Sequence, residues 1–281
     1  MASPSIADKR RAFRQLHESG CFVIPNPWNA GTARYLQNLG FKALATTSSG
    51  YAHAQGYSDG EVTRDMVLAH CQDMASIADV PVNADFEAGY AGSADEVAAN
   101  VRLCVDTGVA GLSIEDATGD DKSPLYDFDT ALERVRAARA AIDKAGGDVV
   151  FTARTEGFIK GLPDLDETIR RLKAFADAGA DCLYAPGIKT REQIEAVVKA
   201  VAPKPVNLLM SAASGFSVQD IAGMGVRRIS VGGTLARVAM HAFIKSAREI
   251  AEAGTFDSFA GVISNAELNA TFSADRKNRA T

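Results

Sequence analysis

Short runs of β-branched and other apolar residues alternate with longer amphipathic segments along almost the whole chain. Eight of these runs have the length and composition of buried strands. They are Phe22–Pro25, Ala43–Thr47, Pro81–Asp85, Gly111–Glu115, Val149–Ala153, Cys182–Ala185, Val206–Leu209 and Arg228–Val231. Apolar residues recur every three or four positions between them, which predicts helices that include Ala94–Asp106, Thr130–Lys144, Leu165–Ala178 and Arg191–Ala200.

Glycine residues mark several joints between a predicted helix and the strand that follows it. Gly40, Gly108, Gly179 and Gly225 occupy such joints, where a left-handed conformation commonly ends a helix. Strands and helices that alternate with short joints form parallel sheets with right-handed crossovers. The pattern therefore predicts an α/β protein with a (β/α)8 TIM-type barrel, and an open doubly wound sheet is the alternative.

The length of the chain suits one such barrel. It has 281 residues, and no Pro- or Ser-rich linker divides it. We therefore expect residues 1–281 to form a single barrel domain with an N-terminal helix and a C-terminal helical extension.

Composition excludes several classes of protein. Apolar residues make up 47% and charged residues 23%, and the net charge of −5 argues against nucleic acid or an anionic membrane as the main partner. No apolar run reaches the roughly 18 residues that cross a bilayer, and the charged N-terminus is unlike a signal peptide. The four scattered cysteines predict free thiols. A cytoplasmic protein is expected.

Acidic residues follow the third and fourth predicted strands, at the barrel end that carries catalytic groups in this fold. Asp85 and Glu87 are two positions apart, so in extended chain they point the same way, and Glu115 comes from the neighbouring strand. Carboxylates this close repel one another unless a cation lies among them. Oxygen ligands without His or Cys favour Mg²⁺, with Mn²⁺ as a possibility. The alternative is that these acids are solvated or cap helices.

Other polar residues stand at the ends of the remaining strands. They are Asn26, Thr46, Thr47, Ser48, Ser49, Arg154, Glu156, Tyr184, Asn207 and Ser230, with Asp59 in the loop after the second strand. Arg154 either pairs with Glu156 or another acid, or holds a substrate carboxylate. No lysine ends a strand and the four histidines are scattered, which disfavours Schiff-base, zinc-hydrolase and nucleophile–histidine mechanisms.

Several segments share their order and spacing with one known group of enzymes. They are Thr46–Gly50, Gly56–Gly60, Asp85–Tyr90, Gly111–Asp116, Ala153–Gly161 and Ala178–Asp181. With these segments the chain resembles the phosphoenolpyruvate mutase/isocitrate lyase superfamily, and its phosphonomutase-like branch in particular. The resemblance extends from Phe22 to Gly254.

The resemblance implies a Mg²⁺-dependent barrel enzyme that acts on a small 2-oxo acid or an enolpyruvate. It implies a homo-oligomer, a dimer or a tetramer, in which a helix near Ala236–Ala253 is exchanged between subunits. The implied metal site consists of Asp85, Glu87 and Glu115. The implied catalytic residues are Arg154, Asp59 and Glu115. The predicted substrate-binding residues are Thr46, Thr47, Ser48 and Arg154, together with Tyr184 and Asn207 at their strand ends.

Departures from the superfamily's pattern argue against some of the reactions that its members catalyse. The loop Ala117–Tyr126 contains no cysteine, although the lyases carry a catalytic cysteine there, which argues against isocitrate or methylisocitrate cleavage. Glu87 stands where aspartate is usual, and Tyr184 stands where lyases have glutamate and mutases histidine.

The sequence thus favours an enzyme that works through an enolate. The preferred reaction is C–P rearrangement, either between phosphonopyruvate and phosphoenolpyruvate or in carboxyphosphonoenolpyruvate. Decarboxylation of oxaloacetate, or C–C cleavage by a lyase of the same superfamily, is the alternative. A protein that binds small acids without turnover is a hypothesis of another class.

Overall fold

Eight parallel strands form a barrel in the computed structural model, which describes residues 3–280. The strands are β1 (Phe22–Ile24), β2 (Leu44–Ala45), β3 (Val82–Asp85), β4 (Gly111–Glu115), β5 (Val150–Arg154), β6 (Cys182–Tyr184), β7 (Val206–Leu209) and β8 (Arg228–Ser230). Sequence neighbours pair from β2 to β8, and β8 pairs with β1. A bond from Ala45 N to Pro25 O, 3.1 Å long, joins β2 to the end of β1. The barrel is confirmed, and the open sheet is wrong.

Helices follow the strands around the outside of the barrel. They are α1 (Ile6–Leu16), α2 (Ala30–Asn38), α3 (Ser48–Gln55), α4 (Arg64–Ile77), α5 (Ala94–Asp106), α6 (Phe128–Lys144), α7 (Leu165–Asp177), α8 (Arg191–Val201), α9 (Val218–Gly223), α10 (Thr234–Ala253) and α11 (Asn265–Ala280). The predicted bounds of α5 are confirmed at both ends, and the capping box of Ser93 and Glu96 accounts for its N-terminal end. Gly108 and Gly179 have φ angles of 87° and 99°, as their predicted role in ending helices requires.

Helix α1 packs against the N-terminal end of the barrel. Its Phe13 is fully buried beside Ala43, Ala110 and Val150, which lie at or near the starts of their strands, and beside Ile24 of β1. A Cβ atom on Gly111 would lie 2.5 Å from the Phe13 ring, so only glycine allows this close approach. Because α1 covers this end, the opposite end of the barrel is left for the site.

The C-terminal extension returns to the barrel at α2. Arg34 of α2 and Asp275 of α11 form a buried ion pair of 2.5 Å, with side chains 6% and 3% exposed. Helix α10 buries only Ala236, and apolar side chains such as Phe243 stay exposed. Helix exchange and a single-domain organisation stay predictions. Within residues 3–280, no helix is long and apolar enough to cross a membrane.

Candidate active site

A small cavity of about 170 Å³ opens at the C-terminal ends of the strands. Its walls include all of the predicted substrate-binding residues as well as the predicted catalytic Asp59. The predicted residues that line it are Thr46, Thr47, Ser48, Asp59, Asp85, Arg154, Tyr184 and Asn207. The barrel therefore brings together residues that are up to 161 positions apart in the sequence (Thr46 to Asn207).

A wider recess of about 580 Å³ adjoins this cavity. Glu87 and Glu115 line the recess, whereas Asp85 lines the cavity. Ser48, Asp59 and Arg154 line both spaces, so they stand at the boundary between them. The three predicted metal ligands are therefore divided between two adjoining spaces.

Arg154 is the centre of the charged groups at this boundary. Its Nη1 lies 2.7 Å from Asp85 Oδ1, its Nη2 lies 3.1 Å from Glu115 Oε2, and its Nε lies 3.0 Å from Glu156 Oε1. The prediction that Arg154 pairs with Glu156 or another barrel acid is confirmed. A guanidinium held by three carboxylates has one orientation, which makes it a fixed positive charge beside the cavity.

Negative charge exceeds positive charge in this cluster. Burial raises the pKa of Glu115 well above its usual range, and Glu156 and Asp85 add to the rise because Arg154 alone does not neutralise them. Burial would lower the pKa of Arg154, but Glu156, Glu115 and Asp85 raise it well above its usual range. Arg154 therefore stays charged. Burial and the charge of Asp85 also raise the pKa of Asp59.

The expectation that Asp85 and Glu87 point the same way is wrong. It assumed extended backbone, but Glu87 has φ of 45° and lies in the left-handed region. The turn directs Glu87 to the recess, where the Tyr90 hydroxyl donates a hydrogen bond to its Oε1. Burial raises the pKa of Glu87 to about 7 despite this bond.

Hydroxyl and amide groups after β2 hold Asp85 in place. Asp85 N donates to Thr46 Oγ1 at 2.8 Å, and Ser48 N donates to Asp85 Oδ2 at 3.0 Å. Thr47 is the N-cap residue of α3 and accepts the Gly50 N–H. The predicted anion-binding segment is thus the first turn of a helix, where the positive end of the helix dipole favours negative charge such as that of Asp85.

Tyr184 and Asn207 form another part of the cavity wall. The Tyr184 ring lies 4.9 Å from Arg154 Cζ, a cation–π contact, and burial raises the pKa of its phenol to about 12. Asn207 Nδ2 donates to Ser230 Oγ at 2.9 Å. Both side chains are neutral hydrogen-bonding groups at neutral pH.

The donor set fits a hard divalent cation. Asp59, Asp85, Glu87 and Glu115 supply oxygen atoms only, and the surplus of carboxylates over Arg154 favours an added positive charge. Within the described part of the chain, no three His, Cys, Asp or Glu side chains already form a metal cage. Mg²⁺ commonly binds through one or two carboxylates and keeps several waters, so it needs no such cage.

The loop after β4 borders the recess. An isolated bridge joins Ala117 to Leu125, and Thr118 N donates to Pro124 O at 3.0 Å, so the loop folds back on itself. All four cysteines are free and lie elsewhere in the chain, as predicted. Asp116, just before the loop, accepts bonds from Thr155, Glu156 and Arg171 and so joins β4 to β5 and α7.

Sequence reasoning missed several residues of the cavity and recess. Asn83, Ser113 and Arg228 line the cavity, and Tyr90 bonds to Glu87 in the recess. Asn83 and Ser113 stand two positions before Asp85 and Glu115, so the period of two along a strand predicts the same inward direction. For Tyr90 the sequence offered no such signal, because the left-handed turn brings it to Glu87.

Comparisons with known proteins identify the family of the chain. Residues 13–251 match the phosphoenolpyruvate phosphomutase family. A solved structure of a proposed lyase/mutase from Burkholderia cenocepacia J2315 is 44% identical, with a TM-score of 0.91 and coverage of 95% of this chain and 96% of that one. The oxaloacetate decarboxylase of Paraburkholderia xenovorans is 30% identical over 230 residues, which are 79% of this chain and 74% of that enzyme.

A further solved structure carries a metal. Phosphonopyruvate hydrolase in complex with oxalate and Mg²⁺ is 26% identical, with a TM-score of 0.83 and coverage of 96% of both chains. Other matched relatives are lyases and a phosphomutase. The chain therefore belongs to the phosphoenolpyruvate phosphomutase family, within the phosphoenolpyruvate mutase/isocitrate lyase superfamily of enzymes.

Proposed function

We propose that this protein is a Mg²⁺-dependent enzyme, with Mn²⁺ as a possible substitute, that forms an enolate from a small 2-oxo acid with a second anionic group on C3. The observation that carries the proposal is the meeting of Arg154 with Asp85 and Glu115 beside the cavity of about 170 Å³. Sites for drug-sized ligands have volumes of about 300–1,000 Å³. The smaller cavity suits an acid of only a few carbon atoms.

Two groups at the boundary would bind the substrate's negative charge. Arg154 is fixed by its carboxylate partners and the Tyr184 ring, and a cation that competes for Asp85 would leave its Nη1 freer to bind the substrate's negative group. The first turn of α3, beginning at Ser48, adds the positive end of a helix dipole. Together they would orient the acid before any bond breaks.

Asp85, Glu87 and Glu115 are the residues that would hold the cation. When bound there, the cation would supply positive charge to the carbonyl and carboxylate oxygens of a 2-oxo acid. Asp59 lines both the cavity and the recess, so it faces bound substrate and is the acid placed to give a proton to C3.

Decarboxylation is the first candidate reaction within this proposal. The C3–C4 bond of oxaloacetate breaks, CO₂ leaves, and C3 of the remaining enolate takes up a proton. The related oxaloacetate decarboxylase supports it at 30% identity over 230 residues. C–P rearrangement, which the sequence resemblance prefers, is the second candidate, and the family match supports it.

The test is a substrate panel followed by proton and phosphorus NMR with Mg²⁺ present. Oxaloacetate, phosphonopyruvate, phosphoenolpyruvate and methylisocitrate are compared, and the Asp85→Asn variant measures the reaction due to free Mg²⁺. Pyruvate formed from oxaloacetate well above that background supports decarboxylation, whereas interconversion of the two phosphorus compounds supports rearrangement. Rapid methylisocitrate cleavage would contradict the argument from the missing loop cysteine.

We also propose that the protein works as a homo-oligomer. Helix α10 leaves Val238 and Phe243 exposed by 62% and 66%, and Phe256, Val262 and Ile263 after it are exposed by at least 50%. Apolar side chains gathered on one segment are typical of a contact with another subunit.

A further inference from the structure

The interior of the barrel beneath the cavity is polar. Barrels of this fold usually fill their interior with Val, Ile and Leu. Here Asn83, Thr152, Asn207 and Arg228 are at most 4% exposed, and Asn83, Asn207 and Arg228 also line the cavity. A buried arginine in this position needs an explanation beyond packing.

Arg228 is held from three sides by uncharged partners. Its Nε donates to Asn207 Oδ1 at 2.9 Å and its Nη2 donates to Thr152 Oγ1 at 3.0 Å. Its Nη1 lies 3.3 Å from His17 Nε2, and His17 Nδ1 lies 2.7 Å from the carbonyl oxygen of Phe13, so Nδ1 donates and Nε2 accepts. A guanidinium has five N–H groups, so two remain for a ligand.

In the described part of the chain, Arg228 has no negatively charged partner. Burial, with the nearby charge of Arg228, lowers the pKa of His17 to about 3, so this partner is neutral at physiological pH. Within residues 3–280, no carboxylate lies within ion-pair distance of Arg228, whereas the buried Arg34 and Arg171 pair with acids. The buried Arg134 also has no ion pair, but it does not line the cavity, and three backbone carbonyl oxygens accept its Nη N–H groups. A buried cation without a counter-charge is unfavourable, and an anionic ligand would remove this cost.

The position of Arg228 places such a ligand deep in the cavity. Thr152, which accepts its Nη2–H, precedes Arg154 by two residues on β5, a rise of about 6.6 Å along the strand. Arg228 therefore lies deeper in the cavity than Arg154. Arg154 and Arg228 both line the cavity of about 170 Å³, so a ligand that reaches both is small.

We propose that Arg228 forms an anion-binding site at the floor of the cavity, and that this site selects substrates with two anionic groups. One group binds Arg154 at the mouth and the other binds Arg228 at the floor. The inference deepens the proposed function and depends on it for the chemical class of the substrate. The floor site itself is defined by Arg228, Asn207 and Thr152.

The test compares two stable acids that share a four-carbon skeleton and a 2-hydroxyl group. Malate has a carboxylate at C4, whereas 2-hydroxybutyrate has a methyl group there. Calorimetric titration with Mg²⁺ present measures both affinities for the full-length wild type, for Arg228→Met and for Arg228→Lys. The ratio of the two affinities is the readout, since a general loss of packing weakens both acids alike.

We expect the wild type to bind malate at least tenfold more tightly than 2-hydroxybutyrate. Arg228→Met should reduce that ratio towards one, and Arg228→Lys should retain most of it because the charge is kept. An unchanged ratio in a folded Arg228→Met protein, or a wild-type ratio near one, would overturn the floor site. If Arg228→Met does not fold, Arg228→Lys provides the test. A folded Arg228→Lys protein that no longer prefers malate over 2-hydroxybutyrate would overturn the floor site, because this variant keeps the positive charge. A wild type that binds neither acid would overturn the proposed function and the floor site together.

Discussion

Arg154 and Asp85 face each other across strand β4, with Nη1 of the arginine 2.7 Å from Oδ1 of the aspartate. The second oxygen of Asp85 accepts the Ser48 N–H at 3.0 Å, so both carboxylate oxygens are in use. A cation at Asp85 would compete with Arg154 for the same carboxylate and leave the arginine freer to bind an anion. Metal binding and substrate binding are therefore expected to strengthen each other.

Replacement of Asp85 tests the metal site directly. We expect Asp85→Asn to weaken Mn²⁺ binding by about tenfold or more, because a neutral amide replaces a carboxylate ligand. Electron paramagnetic resonance of free Mn²⁺ measures the affinity without any assay of turnover. Asp95→Asn, at an exposed position in α5, is the matched control. Equal Mn²⁺ affinity in Asp85→Asn and wild type would show that Asp85 is no ligand.

The barrel could be predicted from the sequence because its signals are local. Strand runs, helix periodicity and joint glycines each depend on a few neighbouring residues, and β4 begins and ends where predicted. Strand ends also identified Asp85 and Arg154, since parallel strands of a barrel finish at the same face.

The direction of Glu87 and the partners of Arg228 could not be predicted, because they depend on a turn and on contacts between distant residues rather than on the pattern of neighbouring residues. The left-handed turn at Glu87 directs that side chain to the recess, although its spacing from Asp85 suggested a shared direction. Site residues were predicted from the C-terminal ends of the strands, whereas Arg228 is the first residue of β8. Its side chain lines the cavity from the side of the barrel interior. The sequence does not show that Arg228 lacks a charged partner, because its partners Thr152, Asn207 and His17 come from β5, from β7 and from the end of α1.

The buried pair of Arg34 and Asp275 is expected to hold α11 on the barrel. Removal of one partner of a buried ion pair typically costs about 3–5 kcal/mol, and Arg34 keeps a second bond to Asp79 at 2.8 Å. We therefore expect Asp275→Asn to lower the free energy of unfolding by about 3 kcal/mol. Urea denaturation measures this change, with exposed Asp257→Asn as the control. A loss no larger than that of the control would contradict the role assigned to the pair.

His70 gives the protein a predictable dependence of stability on pH. It is 7% exposed, its ring stacks on Tyr51 at 4.0 Å, and its Nε2 has no hydrogen-bond partner. Burial lowers its pKa to about 4 in the folded protein. An unfolded histidine has a pKa of about 6.5, so between these values the unfolded state binds more protons.

The free energy of unfolding should therefore fall as the pH decreases from about 6.5 to about 4, by roughly 3 kcal/mol from this group. Above this window the contribution is constant. His70→Phe should remove this part of the pH dependence, and His241→Phe, at an exposed position, should not. Urea denaturation at several pH values measures the slopes. The same slope in His70→Phe and wild type would rule out His70 as its source.

The exposed apolar face of α10 should determine the oligomeric state. Phe243 is 66% exposed, and a charge there would be buried in any contact that covers this face. We expect light scattering to give a dimer or tetramer for the wild type and a smaller mass for Phe243→Glu at the same concentration. Leu103→Glu is the matched control, since Leu103 is an exposed apolar residue of a different helix, α5. If Phe243→Glu keeps the wild-type mass, or if Leu103→Glu loses it, the contact lies elsewhere on the barrel.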